Sequence, residues 1–421
     1  MQPIRTLPLR VALADGESLH SWLLRLAHRN GIPLLRLAPV LGLVERLRIP
    51  HNYALSWHLP ANLLRRIETQ TGLAPGALDA AVLDQFDPLG WKPIAASRYC
   101  TGCLTETSGI WSMRWQLPYT FVCLRHRCLL AAVCPSCHRA PHSAGMTLRA
   151  GLLPSTRCVL GARRQTLPCD ADLLSHPQIP LPVNDARLAA QKWVNQRLDH
   201  LTPATITDLQ DLDALAIWFR QRLEPGELTH LGAATVAAMS EYRDNHHGFK
   251  REQLTATVIA SAMTVEAIGL ITADDHSRHR RFSPLLRDVY TQYRGGQAPS
   301  KRGPMILSHK RMTSLSESLQ HKLLCSADAH LPVSERLRYY TCTPTPRPPQ
   351  PGSRVAAERA RHIPQYLWHD WIVRLRPPRG SYADEVAIDI PAALMIPGNP
   401  VRNIHATGEL NPWRPHTTQT C

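Results

Sequence analysis

Between Tyr99 and Leu173 the chain places Cys100-Thr-Gly-Cys103, Cys123-Leu-Arg-His126 and Cys134-Pro-Ser-Cys137 in a row, then single cysteines at Cys158 and Cys169. A two-residue gap lets both side chains of a tight turn face one ion, and two such turns from separate segments complete a tetrahedron. Cys100, Cys103, Cys123 and His126 make one closed Cys₃His set. Cys134 and Cys137 open a second set, and Cys158 and Cys169 are the natural candidates to close it. The spacing predicts tandem zinc ribbons that hold two structural Zn2+ ions. The alternative is a pair of disulfides or unrelated buried thiols. Against it, the first apolar run is short and is interrupted by Arg10, Asp15 and Glu17, so it does not read as a secretory signal. A chain of this size in a reducing compartment has no need of disulfides, and a cytoplasmic protein is expected. Cys128, two residues after His126 in an apolar run, reads as a buried spectator thiol. Cys325, Cys342 and Cys421 receive no role.

A catalytic zinc keeps one position open for water, whereas four protein ligands are available for each ion here. No nearby Glu stands in a His-x-Glu or His-Glu-x-x-His context that would supply a general base. Glu106 reads as an exposed turn residue. The expectation is therefore structural metal and no enzyme activity. No Gly-rich phosphate loop points to nucleotide hydrolysis. The 421 residues are too many for a single core. The net charge of +15 favours phosphate-bearing partners, nucleic acid above all. No apolar run approaches the length of a membrane span, so no membrane association is expected. The 36 prolines argue for short helices and linkers rather than a coiled coil or a parallel sheet.

The first 14 residues alternate loosely and read as an extended arm. Ser18 reads as an N-cap, and Leu19, Trp22, Leu23, Leu26 and Ala27 follow as one helical apolar stripe. Asn30-Gly31 ends that helix and Pro33 starts the next, carried by Leu34, Leu37, Val40, Leu41 and Leu43. A third helix runs from Pro60 to Gly72, with Leu63, Leu64 and Ile67 inward and Arg65 and Arg66 outward. Leu78, Val82, Leu83 and Phe86 suggest a fourth.

Glu17-Ser-Leu-His-Ser-Trp-Leu-Leu-Arg-Leu-Ala27 resembles the opening motif of the TniQ family, which includes the TnsD-type target selectors of bacterial DNA transposons. The Thr71-Gly72 helix end fits the same pattern. So do Tyr99-Cys100-x-x-Cys103, Trp115-Gln-Leu-Pro118, Cys123-x-x-His126, Leu129-Leu130 and Cys134-Pro-Ser-Cys137, in that order. The resemblance spans roughly residues 7 to 175. The chain departs from the family pattern in three places. Its first knuckle lacks Pro after the first Cys, Arg127 rather than Gly follows His126, and the last pair is split into Cys158 and Cys169. The resemblance implies a non-catalytic protein that helps choose where a transposon inserts. Such a protein binds target DNA, or docks on another targeting complex, and recruits an AAA+ ATPase regulator that activates the transposase.

Beyond the cysteines, Pro177, Pro180 and Pro182 read as a linker. Leu188, Ala189, Trp193, Val194 and Leu198 mark one helix, and Leu212, Leu215, Ala216, Phe219 and Leu223 another. The segment 227–294 reads as a helix-turn-helix-like unit. Its helices are Leu231 to Tyr242 and Leu254 to Ile271, the latter one helix or two, with Gly269 as terminator. Arg278, Arg280, Arg281, Arg287 and Arg294 follow with almost no acid between them, as phosphate contacts require. The Pro-rich stretch 343–352 reads as a stiff linker. After it, a second basic helical unit carries Arg374 and Arg376.

The expected architecture is mainly α and multidomain. A TniQ-like helical module occupies 1–95 and the tandem zinc ribbons, with a little β structure, 96–175. A helical domain with the helix-turn-helix-like basic region occupies 176–342, and a basic helical unit with a tail 353–421. The expected partners are DNA, the AAA+ regulator and a transposase or guide complex. Two rival readings remain open on sequence alone, a zinc-ribbon transcriptional regulator and a zinc-dependent nucleic-acid enzyme.

Overall fold

The computed structural model describes residues 6–43, 57–94, 97–141, 152–158, 169–219 and 255–278, with single positions and short pieces beyond them. The chain divides into two units, Met1–Ile271 and Thr272–Cys421. The described residues are mostly helical, with one small antiparallel sheet.

The N-terminal module follows its sequence closely. Helix α1 spans Leu19–Arg29, and the Ser18 side chain accepts from the Ser21 amide at 3.2 Å. That bond satisfies one of the donors a helix start leaves unpaired. The predicted stripe of Leu19, Trp22, Leu23, Leu26 and Ala27 is fully buried. Helix α2 (Leu34–Val40) starts behind Pro33, and helix α3 (Ala61–Thr71) ends at Gly72, whose φ of 73° is the left-handed cap that glycine adopts without strain. Leu34, Leu37, Leu41, Leu64, Ile67 and Leu78 join the α1 stripe in one core. The arm packs on it through Leu7, Val11 and Leu13, and the Trp22 indole donates to the Val11 carbonyl at 2.9 Å.

Two expectations need correction here. Val40 sits on the solvent side of α2, while Leu43 is buried beyond the helix end. The fourth helix is two 3₁₀ segments, Ala77–Ala81 and Leu83–Leu89, separated by Val82 in an extended conformation. Pro88 inside the second piece has no amide proton for a continuous α-helical ladder.

Helix α4 (Thr101–Glu106) begins inside the first knuckle. Strands β1 (Val122–Cys123) and β2 (Cys128–Leu129) form a hairpin in which Cys123 faces Cys128. The segment read as a proline linker supplies the third strand, β3 (Ile179–Pro180), which pairs with β2. Pro180 is tolerated because β3 lies at the edge of the sheet, where an amide need not pair. Helices α5 (Ala186–Asp199) and α6 (Pro203–Phe219) follow as expected.

Gln191 of α5 is fully buried and serves the hairpin directly. Its Oε1 accepts from the amides of Phe121 and Val122, at 2.8 and 3.1 Å, and its Nε2 donates to the Tyr119 carbonyl and to Asn195. Arg98 is buried too, and its guanidinium donates to the carbonyls of Leu117, Pro118 and Thr120. Burial lowers its pKa to about 10, against a small opposing pull from Tyr119.

Helix α7 (Thr255–Thr272) is one continuous helix that runs through Gly269. It is apolar on most sides, and Val258, Ile259, Ala262, Met263, Ala267 and Leu270 are all buried. Val258 enters a core with Phe121, Val122, Leu129 and Leu181, behind the sheet. A helix apolar all round belongs to a core. The expected helix Leu231 to Tyr242 lies outside the described residues, apart from position 237. Among the described residues no helix is long and apolar enough to cross a membrane.

Candidate metal centres

The first knuckle turns at the start of α4, and the second is the β1–β2 hairpin turn. Together they bring the Sγ atoms of Cys100, Cys103 and Cys123 and a ring nitrogen of His126 within 4.8 Å of one another. Nδ1 of His126 lies 3.4 Å from Cys100 Sγ, 3.4 Å from Cys103 Sγ and 3.5 Å from Cys123 Sγ. Cys103 and Cys123 sulfurs are 3.5 Å apart. One tetrahedral ion with ordinary zinc bond lengths sets sulfurs about 3.8 Å apart and sulfur and nitrogen about 3.6 Å apart. A disulfide would need about 2.05 Å. The donor set therefore fits a metal ion, and all eight described cysteines are free thiols.

The surroundings suit anionic sulfur. The His126 amide points at Cys123 Sγ at 3.4 Å, and the Gln178 amide approaches Cys100 Sγ at 3.8 Å while also bonding Thr101 Oγ1. On the far side of the imidazole, His126 Nε2 meets Glu106 Oε1 at 3.0 Å, and Arg125 pairs with the same carboxylate at 2.9 Å. Glu106 is thus no idle turn residue. It fixes the ring so that Nδ1 faces the thiols, the role a carboxylate plays behind many metal-bound histidines. Burial pulls the His126 pKa down, but the Cys123 sulfur and Glu106 more than reverse this and raise it to about 9.

Gly102 explains the close approach of the two turns. A Cβ there would lie 2.7 Å from the His126 ring. Nothing in the sequence marks the role of Gly102, and Glu106 reads there only as an exposed turn residue, because their common partner, His126, arrives from the other knuckle.

The second cluster closes as the split pair requires. The sulfurs of Cys134, Cys137, Cys158 and Cys169 all lie within 4.8 Å of one another. Cys137 and Cys158 are 3.7 Å apart, and Cys134 and Cys169 are 3.9 Å apart. The Ser136 amide points at Cys134 Sγ at 3.4 Å. Cys158 and Cys169 come together although ten residues separate them. The Cys158 amide donates to the Ala171 carbonyl, and the Asp170 amide to the Cys158 carbonyl, both at 2.9 Å. The backbone supplies the knuckle geometry that the sequence lacks.

A third group, His58, Asp84 and Asp87, has donors within the same reach, but it lies at the surface and is already engaged. Asp87 accepts from the Trp57 indole and Asp84 from the His58 amide, so the group ties the loop at Trp57 to the 3₁₀ segment Leu83–Leu89.

The predicted basic residues are placed only in part. Arg280 and Arg281 are exposed. Arg278 is turned inward, with its side chain 3% exposed and its guanidinium held by Asp275 and the Ala273 carbonyl. Arg287, Arg294, Arg374 and Arg376 lie outside the described residues.

Helical elements welded to a pair of four-donor Cys/His clusters define a protein organised around metal-compatible knuckles. Residues 8–130 match the family model described as TniQ, a segment that runs from the extended arm through the first cluster. The match ends before Cys134, and the second cluster lies outside it. Nothing among curated proteins or solved structures matches the chain.

Proposed function

We propose that this protein is a non-catalytic, zinc-binding adaptor for choosing the target site in DNA transposition. On this reading it binds target DNA, a targeting complex or both, and recruits an AAA+ regulator of the transposase. The observation that carries the reading is the TniQ match over the segment that contains the α1 motif and the first cluster. Thiolate-rich tetrahedral donor sets favour zinc, and four protein donors per ion leave no open position for a reacting water. The N-terminal helices and the ribbons serve as a platform, and the work is done by surfaces.

Arg280 and Arg281, together with Arg287, Arg294, Arg374 and Arg376, are the proposed phosphate contacts. Arg278 is held by neighbouring groups and serves packing instead. The test is a pull-down of the candidate AAA+ ATPase by the full chain, with and without DNA. Capture that depends on an intact first cluster supports the reading. Absence of capture under both conditions contradicts it.

A further inference from the structure

Among the described residues, one buried thiol is left out of both four-donor clusters. Cys128 is 1% exposed, and its Sγ lies 3.8 Å from that of Cys100. That separation is the one two sulfurs take on a single tetrahedral ion, about 3.8 Å. It also matches the 3.7 and 3.9 Å between sulfurs of the second cluster. Cys128 stands directly across the hairpin from Cys123, so its backbone is fixed by the same strand pair that holds a ligand. The first centre therefore has two unlike sides. On one, His126 is 20% exposed and is held by Glu106, itself 40% exposed. On the other, a fourth sulfur is sealed in the core beside Cys100.

We propose that Cys128 is a reserve ligand of the first centre, which takes the fourth position when His126 leaves it. The centre then passes from three thiolates and one imidazole to four thiolates without releasing its ion. The exchange frees the His126, Glu106 and Arg125 edge to move, for instance against a partner, while the buried half of the ribbon stays folded. The inference rests on the reading that the first cluster binds zinc. The Cys128 backbone is already paired with that of the ligand candidate Cys123 across β1 and β2.

The experiment measures zinc per chain and the sulfur-to-cobalt charge-transfer band of the cobalt-substituted protein, in full-length variants. Wild type and Cys128→Ser are expected to hold two ions. His126→Ala is expected to keep two, with a stronger charge-transfer band, and His126→Ala/Cys128→Ser to keep one. If His126→Ala drops to one ion, or keeps two whether or not Cys128 is present, the reserve role is overturned. If wild type itself lacks the first ion, the zinc reading fails as well, which separates the two claims. Should His126→Ala not fold, Glu106→Gln gives the same test through the rate of zinc loss to a chelator. Adding Cys128→Ser to Glu106→Gln should speed that loss about tenfold, within the range that supporting residues usually control. An unchanged rate overturns the proposal.

Discussion

At the residue scale, the first centre depends on groups that carry no metal. Glu106 orients His126 from outside the donor set, so Glu106→Ala should weaken zinc at that centre by about 10- to 100-fold while leaving the second ion in place. Competition with a chromogenic chelator reads both sites. Equal loss from both would mean that Glu106 acts on folding in general. His20 offers a pH test in α1. Burial lowers its pKa to about 4, so the folded chain holds fewer protons than the unfolded chain between pH 4 and 6.5. The contribution is neutral above pH 6.5 and costs about 1.4 kcal/mol for each pH unit below it, until the folded-state value is reached. His20→Gln should flatten this dependence in denaturant titrations between pH 7 and 5.5, with metal content held constant. A wild-type slope unchanged by the substitution would contradict it. The three paired knuckles that enter the two donor clusters were legible, because a two-residue gap is a local signal. Glu106, Gly102 and Gln191 were not, because each acts on a segment remote in sequence.

At the element scale, α1 is the part that periodicity and capping described best. Its stripe is buried as a unit and Trp22 is anchored at both its ring and its indole nitrogen. Trp22→Ala should therefore cost about 3–5 kcal/mol, read as a fall in the denaturant midpoint. An unchanged midpoint with lost partner binding would make Trp22 a surface contact instead. The sequence was misleading where a weak local signal met a tertiary constraint. Pro177, Pro180 and Pro182 spoke for a linker, yet β2 captured Ile179 and Pro180 as an edge strand. Gly269 suggested a stop, yet the core around Phe121, Val122 and Val258 belongs to a helix that runs past it. For the basic segment, α7 ends at Thr272 and the exposed Arg280 and Arg281 follow Arg278, which is folded back on its own turn. Arg280→Ala and Arg281→Ala should each lower the magnitude of the slope of log K against log salt by about one, and Arg278→Ala should leave it unchanged. Fluorescence anisotropy with duplex DNA over a salt series measures this. Equal effects from all three would place Arg278 on the phosphates too.

At the scale of the whole molecule, the matched domain is continuous with the metal centres. Glu17 accepts from the Ser21 hydroxyl at 2.8 Å and from Arg25, and Ser21 Oγ in turn accepts from the Trp111 amide at 3.0 Å. The Ser18 amide donates to the Trp111 carbonyl, and the Met113 amide to the Gly16 carbonyl, both at 2.9 Å. The Trp111 indole then donates to Ser155, three residues before Cys158. The motif that opens the TniQ match is thus the seam between α1 and both clusters, and its polar residues serve that seam rather than a surface site. Arg114 paired with Asp199, and Tyr119 bonded to Asp213, continue the connection into α5 and α6. Structural zinc contributes folding free energy outright, so the helices and ribbons should lose structure together when metal is removed. The most direct measurement is metal analysis of the purified full chain, followed by hydrogen exchange across α1 before and after chelation. The account predicts two zinc ions per chain and loss of α1 protection when they are withdrawn. A chain that holds no zinc, or an α1 that stays protected after both ions have gone, would contradict it.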